Sequence, residues 1–192
     1  METLKQGEFY SIKRFDREDY LDNFELINGL MTRVFSSHEG YNDFYDYDEA
    51  LEYINEKNTD FFMEEFLIPK LYVLFDEQNN TPVSFALYSH DKERDDWHLE
   101  FISTHKDYSN MGYAEAIFKS SAKDLINTEY PRISSVVAKN NKSSLALHNA
   151  IGGTIGIGFV KEEIENNRYS FLFELKNMSK QDAKKVVDDI VF

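Results

Sequence analysis

The 192 residues include no cysteine, and that excludes a thiol nucleophile, a Cys-ligated zinc, an iron–sulfur cluster and any disulfide framework. Chemistry in this chain must use oxygen, imidazole or backbone groups. Basic residues are also scarce: Lys and Arg number 21 against 35 Asp and Glu, a formal charge of -14. Nucleic-acid binding draws on Lys and Arg to displace counterions, so DNA and RNA are not expected partners. An acidic field suits cationic substrates such as amines, and it serves solubility equally well. The five histidines, His38, His90, His98, His105 and His148, show no His-x-x-x-His spacing, and no acidic triplet resembles a calcium loop, so no metal site is expected.

No apolar run reaches the length of a membrane span, and residues 1–6 carry no apolar signal core, which makes the cytoplasm the expected location with no membrane partner. With three prolines and eight glycines, the chain has no low-complexity linker and no internal repeat. The expectation is one domain over residues 1–192. The sequence leaves a homodimer open.

What is present reads as a mixed α/β chain. "EFYSIKRF" (8–15) predicts a strand, and residues 16–66 form an aromatic-rich helical region with weak boundaries. "KLYVLFDEQNNTPVSFALYSH" predicts a hairpin turning at Asn79 and Asn80, with Pro82 at a strand start. Residues 97–105 predict a further strand. Ala114, Ile117, Phe118, Ser121 and Leu125 follow the 3.6-residue period of a helix running to about residue 127. "ISSVVA" (133–138) is a buried strand, "KSSLALHNAIGG" a short helix stopped by Gly152 and Gly153, and 154–163 with 168–175 a closing hairpin across Asn166 and Asn167. Residues 180–192 predict a last amphipathic helix. The order strand, helix, strand over 97–138 implies a parallel pair joined by a crossover helix, hence a mixed, mostly antiparallel sheet with one parallel pair, flanked by helices.

The most informative stretch is "DYSNMGYAEAIF" (107–118). A helix entered from a strand leaves its first N–H groups unpaired at the positive end of its dipole. Gly112 and Ala114 remove side chains there, so a phosphate could approach the N–H groups of Ser109 to Ala114. A lone glycine before a helix is equally compatible with plain turn chemistry. The order of elements and a second motif decide for the anion site. "STHKDYSNMGYAEAIF" resembles the acetyl-CoA loop of the GCN5-related N-acetyltransferase (GNAT) family, Arg/Gln-x-x-Gly-x-Gly/Ala, with Ser109, Gly112 and Ala114 at the three key places. "NNKSSLALHNAIGG" is similar to the family's second signature, matched by Asn141, Ser144, Leu147, His148 and Gly152. The likeness covers residues 71–175 by motif and the first 66 by element order alone. Ser109 replaces the usual Arg or Gln, and His148 the usual Tyr.

This resemblance implies an N-acetyltransferase fold and transfer of an acetyl group from acetyl-CoA, as co-substrate and without a metal, to a primary amine of a small molecule or peptide by direct attack. The implied co-substrate contacts are Ile102 and Thr104, through the backbone of their strand, with Ser109, Asn110, Met111, Gly112, Tyr113, Ala114, Asn141 and Ser144. His148 would protonate the departing thiolate. An amine with pKa about 10.4 must lose a proton before it attacks. Alternation predicts that His98, Glu100, Ile102 and Thr104 share one face, and the family often uses a carboxylate on this strand, so Glu100 is the first candidate base and His98 the second. Phe35, Tyr41, Phe44, Tyr45, Tyr47 and Tyr53, among Asp43, Asp46, Asp48 and Glu49, suit either a cationic acceptor or a core face. Two rival readings are a degenerate CoA-binding sensor or interaction module, and an acyltransferase using a longer acyl donor or a carrier protein.

Overall fold

The computed structural model describes residues 2–6, 9–22, 29–30, 33–34, 37, 70–78, 80–91, 95–155, 159–164 and 167–174. The aromatic-acidic segment from 41 to 53, Phe35, most of the 16–66 region and the 180–192 helix lie outside these residues.

Among the described residues eight strands form one sheet: β1 (Glu2–Gln6), β2 (Tyr10–Phe15), β3 (Lys70–Asp76), β4 (Thr81–Asp91), β5 (Asp96–Thr104), β6 (Arg132–Ala138), β7 (Phe159–Ile164) and β8 (Arg168–Glu174), in spatial order β1-β2-β3-β4-β5-β6-β8-β7. Every neighbouring pair is antiparallel except β5 with β6. The described helices are α1 (Arg17–Asp22), α2 (Tyr113–Leu125) and α3 (Lys142–Ile155), with a 3-10 turn at Lys106–Tyr108. Among the described residues no helix is long and apolar enough to cross a membrane.

Alternation along the central strands sends Tyr72, Leu74, Ala86, Tyr88, Trp97 and Leu99 to one face, where they meet Ile117, Phe118 and Leu125 of α2. Fully burying side chains of this size is worth about 1.5–3 kcal/mol each, and this stripe fixes α2 across the sheet. The far end of α2 is tied down by Asp124, which takes two bonds from Arg14 Nη1 at 2.9 and 3.0 Å and a third from the Tyr72 hydroxyl at 2.8 Å.

Two features of β5 position the site. First, Leu87 pairs with Phe101 while Tyr88 pairs with Leu99, so Glu100 is an extra residue opposite one step of β4, a β-bulge. This corrects the expected common face: Ile102 and Thr104 lie on the α2 face, opposite Ala86 and Ser84, whereas Glu100 bonds Ser89 and His98 bonds Ser134 on the other face. The extra residue reverses the alternation between 99 and 101. Second, β5 and β6 pair only at Trp97 with Ile133 and His98 with Ser134. Beyond that apex the two strands part and leave a wedge.

Two smaller differences have local causes. β1 is a polar edge strand without apolar alternation, which the pattern of Glu2–Gln6 does not announce. α3 continues through Gly152 and Gly153 to Ile155 instead of stopping at them: a helical glycine costs about 1 kcal/mol, and full burial of Ile151 in the same turn offsets it.

Candidate active site

Past the apex, β5 carries its backbone to the edge of the wedge. The His105 N–H donates to the Val83 carbonyl at 2.8 Å, and the Ser103 carbonyl accepts from Ser84 Oγ at 2.9 Å, both toward β4. Strand geometry then turns the backbone groups of Ile102 and Thr104 the opposite way, into the wedge. An extended ligand arm could add there as a strand.

The chain next makes the 3-10 turn, passes Asn110 at φ 63° and enters α2 from Gly112 at φ 76°. A Cβ built on Gly112 would meet nothing within 4 Å. Glycine is therefore favoured here by its left-handed backbone, and the lack of a side chain removes no clash within the protein. The first α2 bond runs from the Ala116 N–H to the Gly112 carbonyl at 2.9 Å, which leaves the N–H groups of Tyr113, Ala114 and Glu115 without intrahelical partners. Ser109 differs from expectation: its N–H is already bonded to the Lys106 carbonyl at 3.1 Å.

These elements enclose a groove of about 710 Å³. Ile102 and Thr104 line one side, Ser109, Asn110, Gly112, Tyr113 and Ala114 the loop side, and Asn141 and Ser144 the α3 side. Met111 is 57% exposed and is not among the residues lining the groove. The Asn141 Oδ1 is committed to capping α3, accepting from the Ser144 N–H at 3.0 Å, so only its amide nitrogen remains for a ligand. Sequence reasoning missed Lys106 and Tyr108, which also line the groove. Lys106 brings a cation to the wall of the groove that the N-terminus of α2 also lines; it went unnoticed because it precedes the glycine motif.

His148 is not on the groove wall. It is 1% exposed, its Nδ1–H donates to the Ser144 carbonyl at 2.8 Å, and its ring packs on Phe171 at 4.8 Å and on Phe118 at 6.2 Å. Nε2 is buried without a partner. Burial pushes its pKa down to about 4, so the ring is neutral at pH 7. A neutral ring with its only N–H committed to a carbonyl has no proton ready for a leaving thiolate. That is a departure from the acid role the family motif implies.

Glu100 and His98 lie together on the face away from α2. Glu100 Oε1 accepts from Ser89 Oγ at 2.5 Å, and His98 Nδ1 meets Ser134 Oγ at 2.9 Å, next to the apex.

A mixed sheet with one splayed parallel pair, and a groove between that splay and a glycine-entered helix, define an acyltransferase. Residues 32–152 match the Acetyltransferase (GNAT) family, and the chain belongs to that family. Solved structures agree in fold. PaiA N-acetyltransferase from Thermoplasma acidophilum, in complex with coenzyme A, superposes with TM-score 0.58 at 12% identity, covering 84% of this chain and 99% of that one. A ribosomal-protein alanine N-acetyltransferase from Escherichia coli gives 0.56 at 13% identity, covering 89% and 97%. A spermidine N-acetyltransferase from Vibrio cholerae gives 0.54 at 13% identity, covering 88% and 95%. No curated protein matches the sequence.

Proposed function

We propose that this chain transfers the acetyl group of acetyl-CoA to a primary amine by direct attack. The observation that carries this reading is the groove itself: outward-turned backbone of Ile102 on one side, unpaired N–H groups of α2 and Lys106 on the other. The pantetheine arm adds along the β5 edge, and the pyrophosphate sits at the N-terminus of α2. The acceptor comes from the opposite face, where Glu100 takes the ammonium proton directly or through water. Nitrogen then attacks the thioester carbonyl, the C–S bond breaks, and the thiolate takes its proton from water, His148 being neutral and off the groove. Structurally similar enzymes acting on a ribosomal-protein alanine and on spermidine support an amine acceptor, small molecule or peptide.

Turnover of acetyl-CoA with a panel of amines, followed by release of the CoA thiol, is the test. Release above the rate of buffer hydrolysis is expected. Binding of acetyl-CoA without release for any amine would favour the second reading, a CoA-binding module, which the burial of His148 supports.

Gly112→Val should weaken acetyl-CoA about tenfold by calorimetry, because a β-branched residue at that φ is strained by roughly 1–3 kcal/mol and the loop must shift. Unchanged affinity would make the loop ordinary turn chemistry.

A further inference from the structure

Each of the two candidate bases on β5 has a serine of its own, supplied from opposite sides of the strand. Ser89 of β4 and Ser134 of β6 both lie across from His98 in register, yet only Ser134 bonds it, Oγ to Nδ1 at 2.9 Å. Ser89 bonds Glu100 instead, Oγ to Oε1 at 2.5 Å. The bulge makes this possible. Leu87 pairs with Phe101 and Tyr88 with Leu99, so Glu100 has no cross-strand partner of its own, and its side chain reaches back to the residue opposite His98.

Ser89 is 7% exposed, on a strand whose Phe85 and Leu87 are buried and apolar. A hydroxyl in such a place needs a partner. An ionised carboxylate only accepts, so Ser89 is the donor, and the bond has the length of a charge-assisted O–H···O⁻ contact. The second carboxylate oxygen is in a different state. Oε2 has no partner among the described residues and is not one of the buried polar atoms left without one, so it stays reachable. The terminal torsion of a glutamate is broad, and a carboxylate anchored at one oxygen loses that freedom before any substrate arrives.

We propose, resting on the acetyl-transfer reading above, that Ser89 is the positioning residue of the general base: its hydroxyl occupies Oε1 and sets the carboxylate plane so that Oε2 alone receives the ammonium proton. Transfer of that proton to Oε2 frees the nitrogen lone pair, which forms the C–N bond to the acetyl carbon. The C–S bond breaks, the nitrogen gives its second proton to water, and the thiolate takes one from water. Ser89 itself gains and loses none.

The experiment is a double-mutant cycle read in kcat, with spermidine, L-lysine and a peptide beginning in alanine as acceptors and release of the CoA thiol as the signal. At pH 7 Ser89→Ala should lower kcat about tenfold with the KM for acetyl-CoA unchanged, because the carboxylate remains but is no longer aimed. Ser89→Cys, close in size and a weaker donor, should fall between that variant and the parent. Added to Glu100→Gln, Ser89→Ala should change kcat by less than about twofold, since no base is left to orient. The Ser89→Ala deficit should also shrink from pH 7 to pH 9 as more acceptor arrives neutral. Thermal melts near the parent value show that the variants are folded. An equal loss from Ser89→Ala in both backgrounds, or none in either, overturns the inference and leaves acetyl transfer standing. A pH-dependent loss from Ser134→Ala, with Ser89→Ala at the parent rate, overturns it in favour of His98 as the base. A parent that releases no CoA with any of the three acceptors sinks the transferase reading, and the positioning role with it.

Discussion

Glu100→Gln is expected to lower kcat at pH 7 by about a hundredfold, within the range general bases contribute, with the KM for acetyl-CoA little changed. The reason begins with the bulge. Without the extra residue, Glu100 would share a face with Ile102 and Thr104 and project into the groove; with it, Glu100 projects to the face away from α2, the side proposed above for the acceptor, while Ile102 turns its backbone into the wedge. A primary amine of pKa about 10.4 costs roughly 4–5 kcal/mol to deprotonate at pH 7, and a positioned carboxylate removes that proton as the C–N bond forms. Glutamine keeps the shape and the bond from Ser89 but cannot take a proton. The deficit should shrink as pH rises toward the amine pKa, because more acceptor arrives neutral. A loss that is uniform from pH 6 to 9 would mean that Glu100 only shapes the strand. If His98→Gln shows the pH-dependent loss in its place, the imidazole beside Ser134 is the base.

The central strands and the crossover were legible because Leu71 to Asp76, Val83 to His90 and residues 133–138 carry continuous or alternating apolar residues between turn signals. The glycine-entered helix was legible because Gly112 sits at a left-handed position that few other residues adopt. The bulge was not, since alternation assigns faces by counting and an uncounted residue reverses every assignment after it. Its trace is the back-to-back apolar pair Phe101 and Ile102, which strict alternation does not produce in a strand with one polar face. A small pocket between β5, β6 and β7 was hidden for another reason: its Asp96, Arg132 and Glu162 come from three separate strands, and no spacing along the chain relates them. The burial of His148 could have been anticipated, because it lies three residues before Ile151 and four after Ser144, on the seam that α3 turns inward.

That burial carries the second large prediction. In the folded protein the pKa of His148 is lowered from 6.5 to about 4 by desolvation, and the rings around it, Phe118, Phe171 and Phe173, offer no charge to hold an imidazolium. The unfolded chain binds a proton at this residue near pH 6.5 and the native state does not until about pH 4. The contribution of His148 to stability is therefore complete above pH 6.5 and is lost as pH falls through that window, by about 2 kcal/mol between pH 7 and 5. For a chain of this size, that corresponds to roughly 4–8 °C in Tm. His148→Leu, which fills the same apolar site without a titrating group, should lose correspondingly less between pH 7 and 5 in thermal melts, and its turnover at pH 7 should stay within about threefold of the parent. Parallel acid limbs for parent and variant would show that the ring is not a buried neutral imidazole. A tenfold fall in kcat for His148→Leu, with acetyl-CoA affinity and melting temperature unchanged, would restore His148 as the acid that protonates the thiolate.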